Sequence, residues 1–126
     1  MCKVFGLERS LTVSLLPKSV TTAIGVPLSQ GLGGIKAISA SVIILSGILG
    51  NISAPILLKL LKIHDPVAQG AAIGTSAHVI GTVKANELGD VQGAVSSLSL
   101  IIAGILTTIL LSVADKTGVL VLLSNG

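Results

Sequence analysis

The chain has 126 residues, enough for one domain, of which 51% are hydrophobic and 10% charged, with a formal net charge of +3. A soluble domain covers its outside with about 25% charged residues. This chain lacks that cover, and its mean hydropathy of +0.99 points to lipid as its solvent. The positive charge is scattered and Phe5 is the lone aromatic, which excludes the basic footprint and stacking platforms of a nucleic-acid binder.

The pattern describes an all-α integral membrane protein: one transmembrane domain over residues 1–126 with about four hydrophobic helical segments and short charged loops. Lys3 and Arg9 bracket a stretch too short for the apolar region of a signal peptide, and no small-residue cleavage site follows. The first segment, residues 11–29, is interrupted at Pro17-Lys18. Pro17 removes a backbone donor and clashes with the preceding turn, while Ser19, Thr21 and Thr22 are residues that cap a helix restarting beyond it. A broken helix is expected here, its second half beginning inside the protein. Such an end carries partial positive charge and free N–H groups. Lys18 adds a full charge, and a carboxylate is the matching ligand. The other reading of Lys18 is a lysine that snorkels to the membrane interface and marks a loop.

The second segment, residues 37–58, is long enough to cross a hydrocarbon core of roughly 30 Å. The third, residues 67–83, is shorter and crowded with Gly, Ala, Ser and Thr, with Asp65-Pro66 as its N-cap and first position. Gly70 and Gly74, Ala77 and Gly81, and Gly89 and Gly93 repeat a four-residue spacing that lets helix backbones approach closely. On a straight helix Thr75, His78 and Thr82 share a polar stripe, with Ser76 beside it. His78 reads either as part of a polar transport path or as a neutral histidine bonded to a carbonyl for packing. This segment too is expected to be broken or re-entrant, around Gly74–His78. The fourth segment, residues 91–114, contains no charge and is the clearest span.

If all four segments cross, Lys3, Arg9, Lys59, Lys62 and Lys116 share one side and Lys36 and Lys84 the other. The positive-inside rule then puts both termini on the cytoplasmic side or its equivalent. Catalysis has no support: there are no paired carboxylates, no Ser-His-Asp order and, with Cys2 as the single cysteine, no metal motif or resident cofactor to expect.

Four stretches carry a family resemblance: SLLPKSVTT at 14–22, ILGNISAPILLKLLKIHD at 48–65, GAAIGTSAHVIGTVKANELG at 70–89 and GAVSSLSLIIAGILT at 93–107. They resemble the LrgB family of CidB-like, antiholin-like membrane proteins, which includes the plastidial glycolate/glycerate transporter. The resemblance covers about residues 5–112 and only the C-terminal half of family members. Ala23 stands where they usually have Pro, and Val83 where they usually have Ala. It implies a multi-pass protein of a bacterial cell membrane or plastid inner envelope, surrounded by lipid and forming a homo- or hetero-oligomer. Two functions are implied. One is transport of small monocarboxylates such as glycolate, glycerate or pyruvate. Lys18 would then attract the carboxylate, Ser19, Thr21 and Thr22 would orient it, and His78 with Thr75, Ser76 and Thr82 would complete the site or handle a proton. The other is regulation of murein hydrolase activity and autolysis with a small holin-like partner of the LrgA/CidA kind. A half-length chain is expected not to transport alone.

Overall fold

The structure, a computed structural model, describes residues 9–119. Cys2, Lys3 and Phe5, and the end of the C-terminal tail, lie outside the described residues. Those described form five helices and no strand: α1 (Arg9–Leu15), α2 (Thr22–Gly31), α3 (Lys36–Leu60), α4 (Pro66–Leu88) and α5 (Asp90–Lys116).

Two helices, α3 and α5, are long and apolar enough to cross a membrane. At about 1.5 Å per residue, their 25 and 27 residues exceed a hydrocarbon core. Their outward faces are rows of large apolar side chains, Leu45, Leu49, Ile52 and Ile56 on α3 and Ile101, Ile105 and Ile109 on α5, all exposed. Such faces need lipid or another apolar partner.

Of the about four hydrophobic segments, the second and fourth form the two candidate spans, and the first and third are broken where the sequence places their interruptions. The first helix ends at Leu15, Pro17 lies in the turn that follows, and two short helices of 7 and 10 residues replace one span. The chain reverses there. Arg9 and Ser10, before the break, line one cavity with Gly31, Leu32 and Gly33, after it. A Cβ built on Gly25 would sit 3.1 Å from the Pro17 carbonyl oxygen. Thr21 is the N-cap of α2, but its side chain makes no capping hydrogen bond.

The third segment folds back more sharply. His78 has φ 42 and ψ −137 in the middle of α4, far from helical values. The halves on either side lie against each other: a Cβ on Gly81 would be 2.9 Å from Ile73 Cγ2 and 3.3 Å from the Ile73 carbonyl oxygen. On a straight helix those residues would be about 12 Å apart. Ile73, before the turn, and Ala85, after it, belong to one buried cluster with Leu58 of α3. Gly81 removes the side chain that would hold the halves apart. The single stripe of Thr75, His78 and Thr82 therefore does not exist: Thr75 is exposed and Thr82 is buried.

The small residues of α4 do what their spacing implies. Gly70 lies against Gln92 and Val95, and Gly74 against the Ser96 backbone, so the outgoing half packs on α5. Gly93 meets Asn86 of the returning half. The helix starts as expected, with Asp65 Oδ2 accepting from the Ala68 N–H at 2.7 Å and Pro66 in the first turn.

Sidedness changes with this topology. Asp115, next to Lys116, shares a cavity with Arg9 and Gly33, near the start of α3 at Lys36. Lys59 and His64 instead share a cavity with Leu88 at the far end of α3. Lys36 thus belongs with Arg9 and Lys116, while Lys59 and Lys62 lie opposite. The charge argument for cytoplasmic termini loses its basis, because it needed four crossings.

Candidate functional site

Both chain reversals meet the same turn of α3, residues 43–47. From one side, Ser46 Oγ lies 3.0 Å from the Lys18 carbonyl oxygen, and Ile43 Cδ1 would be 2.6 Å from a Cβ on Gly25. From the other, His78 Nε2 lies 2.9 Å from the Ile43 carbonyl oxygen. Gly47 makes the approach possible, since a Cβ there would be 2.5 Å from His78 Cε1 and 2.9 Å from Ile80 Cδ1.

Hydrogen bonding is continuous through this point. A carbonyl oxygen only accepts, so His78 Nε2 carries a proton, and in the neutral ring Nδ1 is an acceptor. The same Ile43 oxygen lies 2.9 Å from Ser46 Oγ, whose single proton has two carbonyl acceptors, Ile43 and Lys18. Beyond His78, Thr82 Oγ1 donates to the His78 carbonyl oxygen at 2.9 Å. That leaves the buried Ser96 hydroxyl of α5 to donate to Thr82 Oγ1 at 2.8 Å. Lys18, Ser46, Ile43, His78, Thr82 and Ser96 link the first reversal to α5.

The residues named from sequence divide accordingly. His78 is buried at 2% exposure and, with Thr82, sits inside the network. Lys18 joins by its carbonyl only; its ammonium is exposed and lies 3.2 Å from Ser19 Oγ. Thr21 and Thr22 begin α2 beside it. Thr75 and Ser76 fall away from the group. Both are exposed, and their hydroxyls donate to the Ala71 and Ala72 carbonyls of their own helix, at 2.7 and 2.6 Å, the usual way a serine or threonine satisfies itself within a helix.

Sequence reasoning missed Ser46, Gly47 and Ser96. Their signal was a small or hydroxyl residue inside a Leu/Ile-rich span, which the straight-helix reading left unused. It also missed a second buried hydroxyl group near the other end of α3. There Ser39 Oγ donates to Ser29 Oγ at 2.6 Å, and Ser14 Oγ accepts from the Ile35 N–H at 2.6 Å. These bonds tie α1 and α2 to the start of α3 beside Gly34.

Two half-helix beginnings face this turn. The N-terminus of α2 opens beside Lys18, and the returning half of α4 begins just after His78. Each carries free N–H groups and partial positive charge.

A sequence model described as the LrgB-like family matches residues 1–116. An antiholin-like protein LrgB of Bacillus subtilis (strain 168) is 34% identical over 113 residues, 90% of this chain and 49% of the relative. Two uncharacterized proteins of the same organism, YwbG and YxaC, are 41% and 36% identical over 107 and 104 residues. Those matches cover 85% and 82% of this chain but 48% and 45% of the relatives. The chain thus spans about half the length of the curated relatives it matches. No solved structure matches it.

Proposed function

We propose a function from one premise: the chain belongs to the LrgB-like family. It is a membrane protein of LrgB type. Our finer reading is that it forms the substrate-binding module of a transporter for small organic anions, monocarboxylates such as glycolate, glycerate or pyruvate. One observation carries this: two broken elements, entering from opposite ends, bring their breaks to one turn of a spanning helix. Discontinuous helices that meet in this way build transporter sites near the membrane midplane, with half-helix N-termini facing anionic groups. We read α1–α2 and α4 as re-entrant hairpins on that ground.

In this reading the Lys18 ammonium attracts the carboxylate, with Ser19, Thr21 and Thr22 at the start of α2 orienting it. His78 positions the opposing tip and offers Nδ1 as an acceptor. Thr82 and Ser96 hold the tip rigid. Thr75 and Ser76, satisfied within their own helix, are left out of the binding set. In this reading the module acts together with further spans, those of a longer chain like the relatives, of a second copy or of a partner membrane protein.

A second reading is favoured by the name of one relative, the antiholin-like protein LrgB. In it the chain regulates murein hydrolase activity and autolysis with a small LrgA/CidA-like membrane partner and carries no substrate.

Uptake of labelled pyruvate, glycolate and glycerate into proteoliposomes separates the two. The self-associated chain, or the chain joined to its partner, is expected to accumulate at least one of them above empty vesicles. No uptake in any pairing, together with a changed autolysis rate when the chain is expressed in a bacterium, would establish the regulator instead.

A further inference from the structure

We infer that the α3–α4 corner is a binding site for the phosphate group of an anionic phospholipid. The inference does not depend on the transport reading. It starts from the backbone at Lys62. Helix α3 ends in a Schellman-like turn, with Ile63 N–H donating to the Leu58 carbonyl at 3.0 Å. The residue after the cap in such a turn is left-handed and is usually glycine. Here it is Lys62, at φ 53. A positively charged side chain thus stands where glycine would relax the backbone.

Lys62 is not alone. Lys59 and His64 line one half-open cavity of about 130 Å³ together with Pro55, Ile63, Gln69 and Leu88. Gln69 Nε2 donates to the Ile63 carbonyl at 2.7 Å and so fixes the loop that carries His64. The neighbouring acids are already engaged: Asp65 caps α4, and Glu87 pairs with Lys84 at 2.6 Å. Neither Lys59 nor Lys62 is in an ion pair among the described residues, and against the single charge of Asp65 the two leave the corner net positive.

The depth is right for a headgroup. At about 1.5 Å per residue, the 25 residues of α3 rise roughly 37 Å, more than the hydrocarbon thickness, so the helix end emerges at the polar layer. Around the two lysines stand Leu57, Leu60 and Leu61, at 48%, 74% and 64% exposure. Basic groups beside exposed leucines match an anionic headgroup with its acyl chains, and each lysine near a membrane surface adds to attraction for acidic lipid. A free phosphate would use the lysines but not the leucines.

The test is thermal unfolding of the purified full chain in mild detergent, with phosphatidylglycerol, phosphatidylcholine or inorganic phosphate added. Lipid retention is read in parallel by native mass spectrometry. Phosphatidylglycerol alone is expected to raise the midpoint and to be retained. Lys59→Gln is expected to weaken its binding about fivefold. Lys62→Gly is the discriminating variant. It relaxes the left-handed backbone, so lipid-free stability should hold or rise while phosphatidylglycerol binding falls about fivefold. The pair Lys36→Gln and Lys116→Gln, at the opposite end, should leave binding unchanged. Equal stabilisation by phosphatidylcholine, an equal shift with inorganic phosphate, or full lipid retention by Lys62→Gly with Lys59→Gln would each overturn the inference.

Discussion

His78 Nε2 donates to the carbonyl oxygen of Ile43 at 2.9 Å and pins the turning point of α4 to the interior of α3. The bond holds a histidine at φ 42, a conformation that costs about 1–3 kcal/mol for a residue with a side chain. Backbone and side chain can be separated by substitution. His78→Ala loses the bond and keeps the strain; His78→Gly loses the bond and relieves it. Glycine should be the more stable variant by about 1 kcal/mol, in detergent unfolding midpoints. In an ordinary helix interior alanine wins by a similar margin, and that order here would mean α4 is straight.

Gly47 tests the same contact from the other side. A Cβ there would lie 2.5 Å from His78 Cε1 and 2.9 Å from Nε2. Gly47→Ala should destabilise by about 1–3 kcal/mol, the usual penalty for overpacking a filled site. Gly31→Ala meets nothing within 4 Å and is the neutral control. Equal midpoints for the two would show that the tip does not sit against α3.

Thr82 and Ser96 should behave as a unit. Each hydroxyl loses its partner when the other is removed, so Thr82→Val and Ser96→Ala should each cost about 1 kcal/mol. The double variant should cost less than their sum. Full additivity in unfolding measurements would mean the 2.8 Å bond between them contributes nothing.

The breaks in the chain were legible in the sequence, and their consequence was not. Pro17 announces a break by its missing donor, and the Gly, Ala and Ser around His78 announce a weak helix. Neither says whether the chain continues across or turns back. The 23 residues of α4 are long enough for one crossing and equally for two short halves. The decision lies in Gly81 against Ile73 and in Gly47 and Gly50 receiving the tip, contacts between elements that no periodicity reports. Thr75 was assigned to a stripe for the same reason: the stripe presumes a straight axis. Ser96 stayed hidden because a lone serine in an apolar span reads as one bonded to its own helix, as Ser97 is, to the Gly93 carbonyl at 2.9 Å.

Topology follows from those contacts and can be checked by labelling. In a Cys2→Ser background, Lys36→Cys and Thr117→Cys should react with a membrane-impermeant maleimide from one face of oriented vesicles. Lys62→Cys and Leu88→Cys should react from the other. Four crossings would split each pair, with Lys36 opposite Thr117 and Lys62 opposite Leu88. A split of either pair would mean that α4 crosses and would remove its fold-back. Arg9→Cys should react from the Lys36 face, and reaction from the opposite face would remove the fold-back of the first segment.

Lys18 carries the electrostatic part of the proposed site. Its carbonyl is held by Ser46 while its exposed ammonium donates to Ser19 Oγ at 3.2 Å, just before α2. Lys18→Met keeps most of the length and deletes the charge, without touching the backbone bond that anchors the loop. In a transport-competent assembly it should reduce monocarboxylate uptake at least tenfold, with membrane insertion and unfolding midpoint near the parent. Lys18→Arg should restore little, because a planar guanidinium does not place its charge where a compact ammonium does. Lys36→Met, at the start of α3 and outside the network, is the control and should transport normally. If Lys18→Met transports like the parent, the helix ends at this turn are packing features. The regulator reading would then stand ahead of the transporter.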